Sequence, residues 1–307
     1  MGPVPTPPYR PDEPIPAVGT PLGEDDLAVL ARAKRALTTE PLAMKLAGAV
    51  GAPIERMMAR LPAAANDTIA EATRRALGKC LDVALATLPR ADARPGSSLT
   101  AATPATADAG VRVAKPWNRL HKLAVATTGA AGGAFGLLAL PAELPITTML
   151  MFRSICDIAR SEGEDLRAAD AQLECLAVFG IGGGAARADE DADLGYFVAR
   201  GALAQAISKA SSELASKGVA AHGAPALMRF MNAIAARFSA QVSEQVAAKS
   251  VPALGAVLGA LVNTVFIDHF QQTAQAHFAI RRLERRYGAD LVRTAYQAID
   301  SAPRPAH

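Results

Sequence analysis

The sequence predicts an all-α protein, a multi-helix bundle of Gly-rich, closely packed apolar helices, and three observations lead there. Half of the 307 residues are apolar while aromatics supply only 5% and charged residues 20%, so alanine and leucine carry the core. These residues give up little side-chain freedom in a helix. No stretch alternates apolar and polar residues with period two and β-branched enrichment, as a half-buried strand does. Glycine and proline punctuate the rest into helix-length segments.

The first segment, residues 1–23, is a Pro-rich leader read as disordered, because proline locks φ and removes the backbone donor that a helix needs. Residues 24–89 read as an N-terminal helical group. "GEDDLAVLARAKRALTTE" places acids in the first turn and bases later, the order the helix dipole favours, and predicts a helix over 24–37. "PLAMKLAGAVGAPIERMMARLP" opens on Pro41 at a helix start and is bounded by Pro62, and "NDTIAEATRRALGKCLDVALATLP" begins on a capping candidate, Asn66 or Asp67. Residues 90–110, rich in Ala, Ser, Thr and Pro, read as a linker. The main helical domain is expected over 111–301, with helices near 115–139, 142–160, 166–179, 192–217, 224–248, 252–286 and 289–299.

A formal charge of +3 without a polybasic block does not indicate nucleic acid. Three cysteines, Cys80, Cys156 and Cys175, lie far apart with no CxxC spacing, which argues against a zinc knuckle or a disulfide framework and fits a reducing compartment. No basic n-region precedes an apolar h-region, so a cleaved export signal is not expected.

Two stretches have the length of a membrane span. Leu123–Ala142 has twenty residues and Ser250–Ile267 eighteen without a charge, against roughly 20 apolar residues needed to cross a bilayer. The first is rich in Ala and Gly and closes on Pro141; the second carries Asn263. Small residues recur four apart at Gly129/Gly133, Gly132/Gly136 and Gly255/Gly259, a spacing that lets helix backbones approach closely. A helical hairpin of the two runs, inside the domain or open to a membrane surface, is consistent with both.

Few residues carry potential chemistry. Glu143, in "LPAELP", is a carboxylate among apolar residues, suited either to the first turn of a following helix or to a buried site. Arg153 is expected to pair with Asp157 four residues on. His269, Thr273, His277 and Arg281 recur every four residues as one polar stripe. His269 and His277 stand about 12 Å apart along a helix and cannot chelate one ion unaided. "GIGGG" (Gly180–Gly184) lacks the Lys-Ser/Thr ending of a phosphate loop and reads as a helix stop. "RRLERRYG" (Arg281, Arg282, Arg285, Arg286) suits a solvated helix face or a contact with phosphate or anionic lipid. No cofactor or metal site is expected.

The stretches "AAGGAFGLLALPAELPITTMLMFRSICDIARSEGEDL" and "AAKSVPALGAVLGALVNTVFIDHFQQTAQAHFAIRRLERRYG" resemble the EcsC protein family of bacteria, over roughly residues 115–300. The resemblance implies a membrane-associated accessory or binding protein linked to a transporter or envelope process, the family's namesake being encoded beside the subunits of an ABC transporter, and it carries over no catalytic residue. The leading expectation is therefore a cytoplasmic protein at the inner membrane face that acts by binding a lipid surface or a membrane protein complex. Phe135, Leu137, Leu138, Arg281, Arg282, Arg285 and Arg286 are its expected contact residues. An enzyme would instead bring Glu143, His269, His277 and Arg281 into one acid–base pocket, and a binder of apolar small molecules would need a cavity near Phe135 and Met149.

Overall fold

The alanine-rich segments form ten α-helices in the computed structural model, which describes residues 21–38, 41–51, 53–59, 61, 63–88, 140–182, 192–217, 223–249 and 255–299. In chain order they are α1 (Glu24–Thr38), α2 (Leu42–Val50), α3 (Ile54–Met58), α4 (Ala63–Ala86), α5 (Leu140–Ser161), α6 (Ala169–Ile181), α7 (Ala192–Lys217), α8 (Pro225–Lys249), α9 (Gly255–Tyr287) and α10 (Ala289–Ala298). Among the described residues there is no strand. The expected helix at 115–139, the linker at 90–110 and residues 1–20 of the leader lie outside them.

Several bounds differ from the sequence reading for local reasons. The segment 41–62 splits into α2 and α3 because Gly51 takes the left-handed conformation, φ 68°, and its N–H donates to the Ala47 carbonyl, closing α2. The expected cap of α4 is overtaken: the helix starts at Ala63, so Asn66 and Asp67 lie inside its first turns. Asp157 accepts from Arg160, three residues on, and not from Arg153.

α6 is the central helix, buried on every side from Ala171 to Ile181. α9 is the spine, packing on α1, α2, α5, α6, α8 and α10. Phe179 of α6, Phe238 of α8, and Phe266 and Phe270 of α9 meet with ring centroids 4.8–6.1 Å apart. The N-terminal helices join this core directly: Leu30, Leu46, Ile54 and Leu77 belong to the same buried cluster as those rings.

Close helix approach occurs at the end of α6. A Cβ on Gly180 would stand 3.3 Å from Leu203 Cδ1, and one on Gly182 3.0 Å from Phe270 Cε1. Gly182 ends α6, so the first glycines of "GIGGG" both pack and stop a helix. The pairs Gly129/Gly133 and Gly132/Gly136 lie outside the described residues.

One buried cation ties the first helix to the last. Lys34 of α1 is 1% exposed, and its Nζ donates to the Tyr296 carbonyl at 3.1 Å and the Ile299 carbonyl at 2.6 Å. A helix leaves its last carbonyls without intrahelical partners, and Lys34 supplies donors there while lying over the Tyr296 ring.

Candidate functional site

Polar side chains inside the bundle gather along α9 in two clusters. The larger lies on its C-terminal half, against the turn that joins α5 to α6. α5 ends in a Schellman motif: Glu164 N–H donates to Ala159 O, Gly163 N–H donates to Arg160 O, and Gly163 takes φ 83°. That tight reversal carries Glu162 and Glu164 onto α9. Arg281 donates from Nε to Glu164 at 2.8 Å and from NH1 to Glu174 of α6 at 2.6 Å. Arg285 bonds Glu164 and the Glu162 carbonyl, and Arg282 lies 3.2 Å from the Glu162 carboxylate. Alongside, Arg200 of α7 and Glu284 form a bidentate pair at 2.7 and 2.6 Å.

His277 is fully buried at the centre, between Glu174 at 3.1 Å on Nε2 and the Tyr196 hydroxyl at 2.9 Å on Nδ1. Burial pushes the Glu174 carboxyl upward, but the His277 bond and the Arg281 and Arg200 charges outweigh it and hold Glu174 at about 2. An ionised Glu174 only accepts, so His277 Nε2–H donates to it and Nδ1 accepts from Tyr196. The hydroxyl keeps its proton, since burial raises Tyr196 further above its ordinary range. Burial also lowers His277, so the imidazole is neutral. Four carboxylates then face four guanidiniums with no surplus charge to recruit an anion. Both ring nitrogens of His277 are engaged, which suits holding helices together better than moving protons to a substrate.

The smaller cluster lies on the N-terminal half of α9. Glu143, in the first turn of α5, accepts from Lys249 Nζ at 2.6 Å and from Asn263 Nδ2 at 3.0 Å, and Gln245 donates to Asn263 at 2.7 Å. Glu143 and Lys249 side chains are 9% and 10% exposed. Asn263 and His277 are fourteen residues apart on one helix, about 21 Å along its axis. The four residues that an acid–base pocket would need together are thus distributed: His277 and Arg281 share one cluster and Glu143 belongs to the other. His269, between them, meets the Gly182 carbonyl at 2.6 Å.

The arginines of "RRLERR" depart from the expectation of a solvated basic face. Arg281, Arg282 and Arg286 side chains are 17%, 11% and 28% exposed, and Arg285, at 40%, is paired with Glu164; Arg286 lies 3.4 Å from Asp26. Each is engaged by a carboxylate of this chain. Phe135, Leu137 and Leu138 lie outside the described residues. A cavity of about 670 Å³ opens between Leu22, Leu27, Tyr287, Leu291 and Ala295, at the α1–α10 end and not beside Met149. Among the described residues no helix is long and apolar enough to cross a membrane.

The buried histidines make stability pH-dependent. Burial, reinforced by Lys45 and only partly offset by the Gly182 carbonyl, lowers His269 from 6.5 to about 4. Between these values the unfolded chain takes up a proton that the folded chain refuses. Stability is therefore full above pH 6.5 and falls as pH drops to 4, by about 3 kcal/mol from this residue. Glu244, raised by burial and Glu55 from 4.5 to about 7, works with opposite sign, since its contribution falls as pH rises from 4.5 to 7. Urea unfolding at pH 7, 5.5 and 4 separates them: His269→Gln is expected to remove about 3 kcal/mol of the acid loss relative to wild type. An unchanged profile in His269→Gln would contradict a neutral buried His269.

The fold and these clusters define a class: an all-α bundle whose interior polar groups fasten helices together. Within that class, the model of the EcsC protein family matches residues 24–283, and the chain belongs to the EcsC protein family. The match reaches back to α1, beyond the 115–300 stretch that carried the resemblance in sequence, in keeping with the packing of the N-terminal helices into the common core. Neither a curated protein nor a solved structure matches the chain.

Proposed function

We propose that the protein acts by binding at a membrane surface, as a helical accessory to a transporter or envelope process, through the end of the bundle where α5 and α9 begin. One observation carries this reading. Glu143 directly follows the charge-free run Leu123–Ala142, and it bonds both Lys249, which directly precedes the run Ser250–Ile267, and Asn263 within that run. The ends of these two long charge-free stretches are thereby tied together. On the same two helices Ile146, three residues after Glu143, and Leu261, two before Asn263, are 53% and 42% exposed. Large apolar side chains exposed on helices that a buried ion pair holds in place are suited to a surface that lies on lipid. The basic helix end is the weaker candidate, because Arg281, Arg282, Arg285 and Arg286 are already paired.

Co-sedimentation of the full chain with vesicles of phosphatidylcholine, with and without phosphatidylglycerol, tests the proposal. Wild type is expected to pellet with both and to stay bound in high salt, since the contact is apolar. The double substitution Ile146→Asp, Leu261→Asp is expected to weaken binding more than about tenfold, as the loss of two large apolar contacts implies. A wild-type protein left in the supernatant with every vesicle, or a double variant that binds unchanged, would overturn it.

A further inference from the structure

In the second half of α8 every fourth residue is polar: Arg237, Gln241, Gln245 and Lys249. Residues four apart on a helix stand one above another, so the four form a single, slowly turning stripe. Its later half is satisfied within the chain, since Gln245 donates to Asn263 and Lys249 to Glu143. Its earlier half is not. Gln241 is 2% exposed, and neither its Oε1 nor its Nε2 has a hydrogen-bond partner among the described residues. One turn before it, NH1 of Arg237 is buried and equally unpartnered there. Arg200, Arg281, Arg282 and Arg286, by contrast, all meet carboxylates of this chain. Buried polar atoms that give up hydration and gain no bond in exchange are rare in folded proteins, and each calls for a partner. Here a guanidinium N–H and both ends of a carboxamide lie side by side.

We propose that Arg237 and Gln241 hold a protonated phosphate, with phosphoryl oxygens accepting from Arg237 NH1 and Gln241 Nε2 and the P–OH donating to Gln241 Oε1. The unmet groups themselves select this class. Arg237 NH1 and Gln241 Nε2 only donate, and a guanidinium is met best by an anionic oxygen. Gln241 Oε1 only accepts, so the same ligand must also carry a proton to give. A carboxylate or a sulfate offers acceptors alone, and an alcohol offers no charge to the arginine. A hydrogen phosphate offers both. Arg237 as a whole is half-buried, so its side chain leads from the surface of α8 down to the buried pair. Glu244, three residues beyond Gln241 and on the same side of α8, is raised by burial and by Glu55 to about 7. Below that pH it is mainly the neutral acid and does not repel an anion.

Isothermal titration of the full chain at pH 6.5 compares sodium phosphate with sodium sulfate at equal ionic strength. The expected result is one phosphate per chain, with sulfate bound more than about tenfold more weakly, because sulfate has no proton to offer Gln241 Oε1. Gln241→Leu is expected to lower phosphate affinity more than about tenfold and to erase the preference over sulfate. Glycerol phosphate, titrated alongside, separates the two sources of this chemistry: binding equal to that of phosphate assigns a phosphate monoester, and no binding assigns the free ion. Phosphate and sulfate bound alike, phosphate not bound at all, or Gln241→Leu binding phosphate as wild type does, overturns the proposal. The phosphate–sulfate comparison needs no substitution, so a variant that fails to fold does not affect it.

Discussion

Replacing Glu174 by alanine is expected to lower the unfolding free energy by about 3–5 kcal/mol, because it removes one partner of a buried charge network and leaves the others uncompensated. Arg281 NH1 loses its acceptor at 2.6 Å and His277 Nε2–H loses the carboxylate it donates to. Glu174→Gln keeps an oxygen for one of these donors and is expected to lose less. Urea unfolding followed by far-UV circular dichroism reads both. A cost below about 1 kcal/mol for alanine, the scale of surface substitutions, would show that the network is not a fastening. The sign of the pH effect is fixed as well. With Glu174 at about 2 when folded and 4.5 when unfolded, its contribution is complete above pH 4.5 and disappears as pH falls through 2.

The second large effect concerns Glu143 and Lys249. Burial lowers the Lys249 ammonium despite the neighbouring carboxylate, so the charge is held at some desolvation cost. Lys249→Met alone strands Glu143 in a largely buried position and is expected to cost about 3–5 kcal/mol. The double substitution Glu143→Gln, Lys249→Met removes both charges while leaving Asn263 an oxygen to donate to, and is expected to return close to wild-type stability. A double-mutant cycle measures the coupling, and additive losses would mean that the pair does not act as a unit.

Much of the helical architecture is legible because its signals are local. Acids at Glu24, Asp25 and Asp26 mark the start of α1, and Gly and Pro near residues 223–225 mark the start of α8. The split of α2 from α3 is hidden, although Gly51 and Pro53 announce it, because apolar residues continue on both sides. The polar stripe His269, Thr273, His277 and Arg281 is legible as a stripe, but not its burial. Its partners Glu164 and Glu174 lie more than a hundred residues upstream, and periodicity says nothing about what a face meets. A signal exists: "SEGED" concentrates acids in a turn as "RRLERR" concentrates bases on a helix, and Glu174 is a lone acid in the apolar run of α6. The packing of α4, α5 and α6 on one another, each carrying one of the three cysteines, has no such signal.

Lys34 has a consequence for synthesis. Its acceptors, the carbonyls of Tyr296 and Ile299, lie 262 and 265 residues later in the chain. At roughly 5–20 residues per second, translation separates the donor from its acceptors by tens of seconds. During that interval α1 has emerged with Val29, Leu30 and Ala33 still lacking the α9 surface that buries them, because α9 is itself made late. The first helix therefore waits for the last two. A chaperone that captures nascent chains early would find its longest-lived target in α1, and a ribosome stalled before α9 would hold a chain in which α1 lacks its main docking surface.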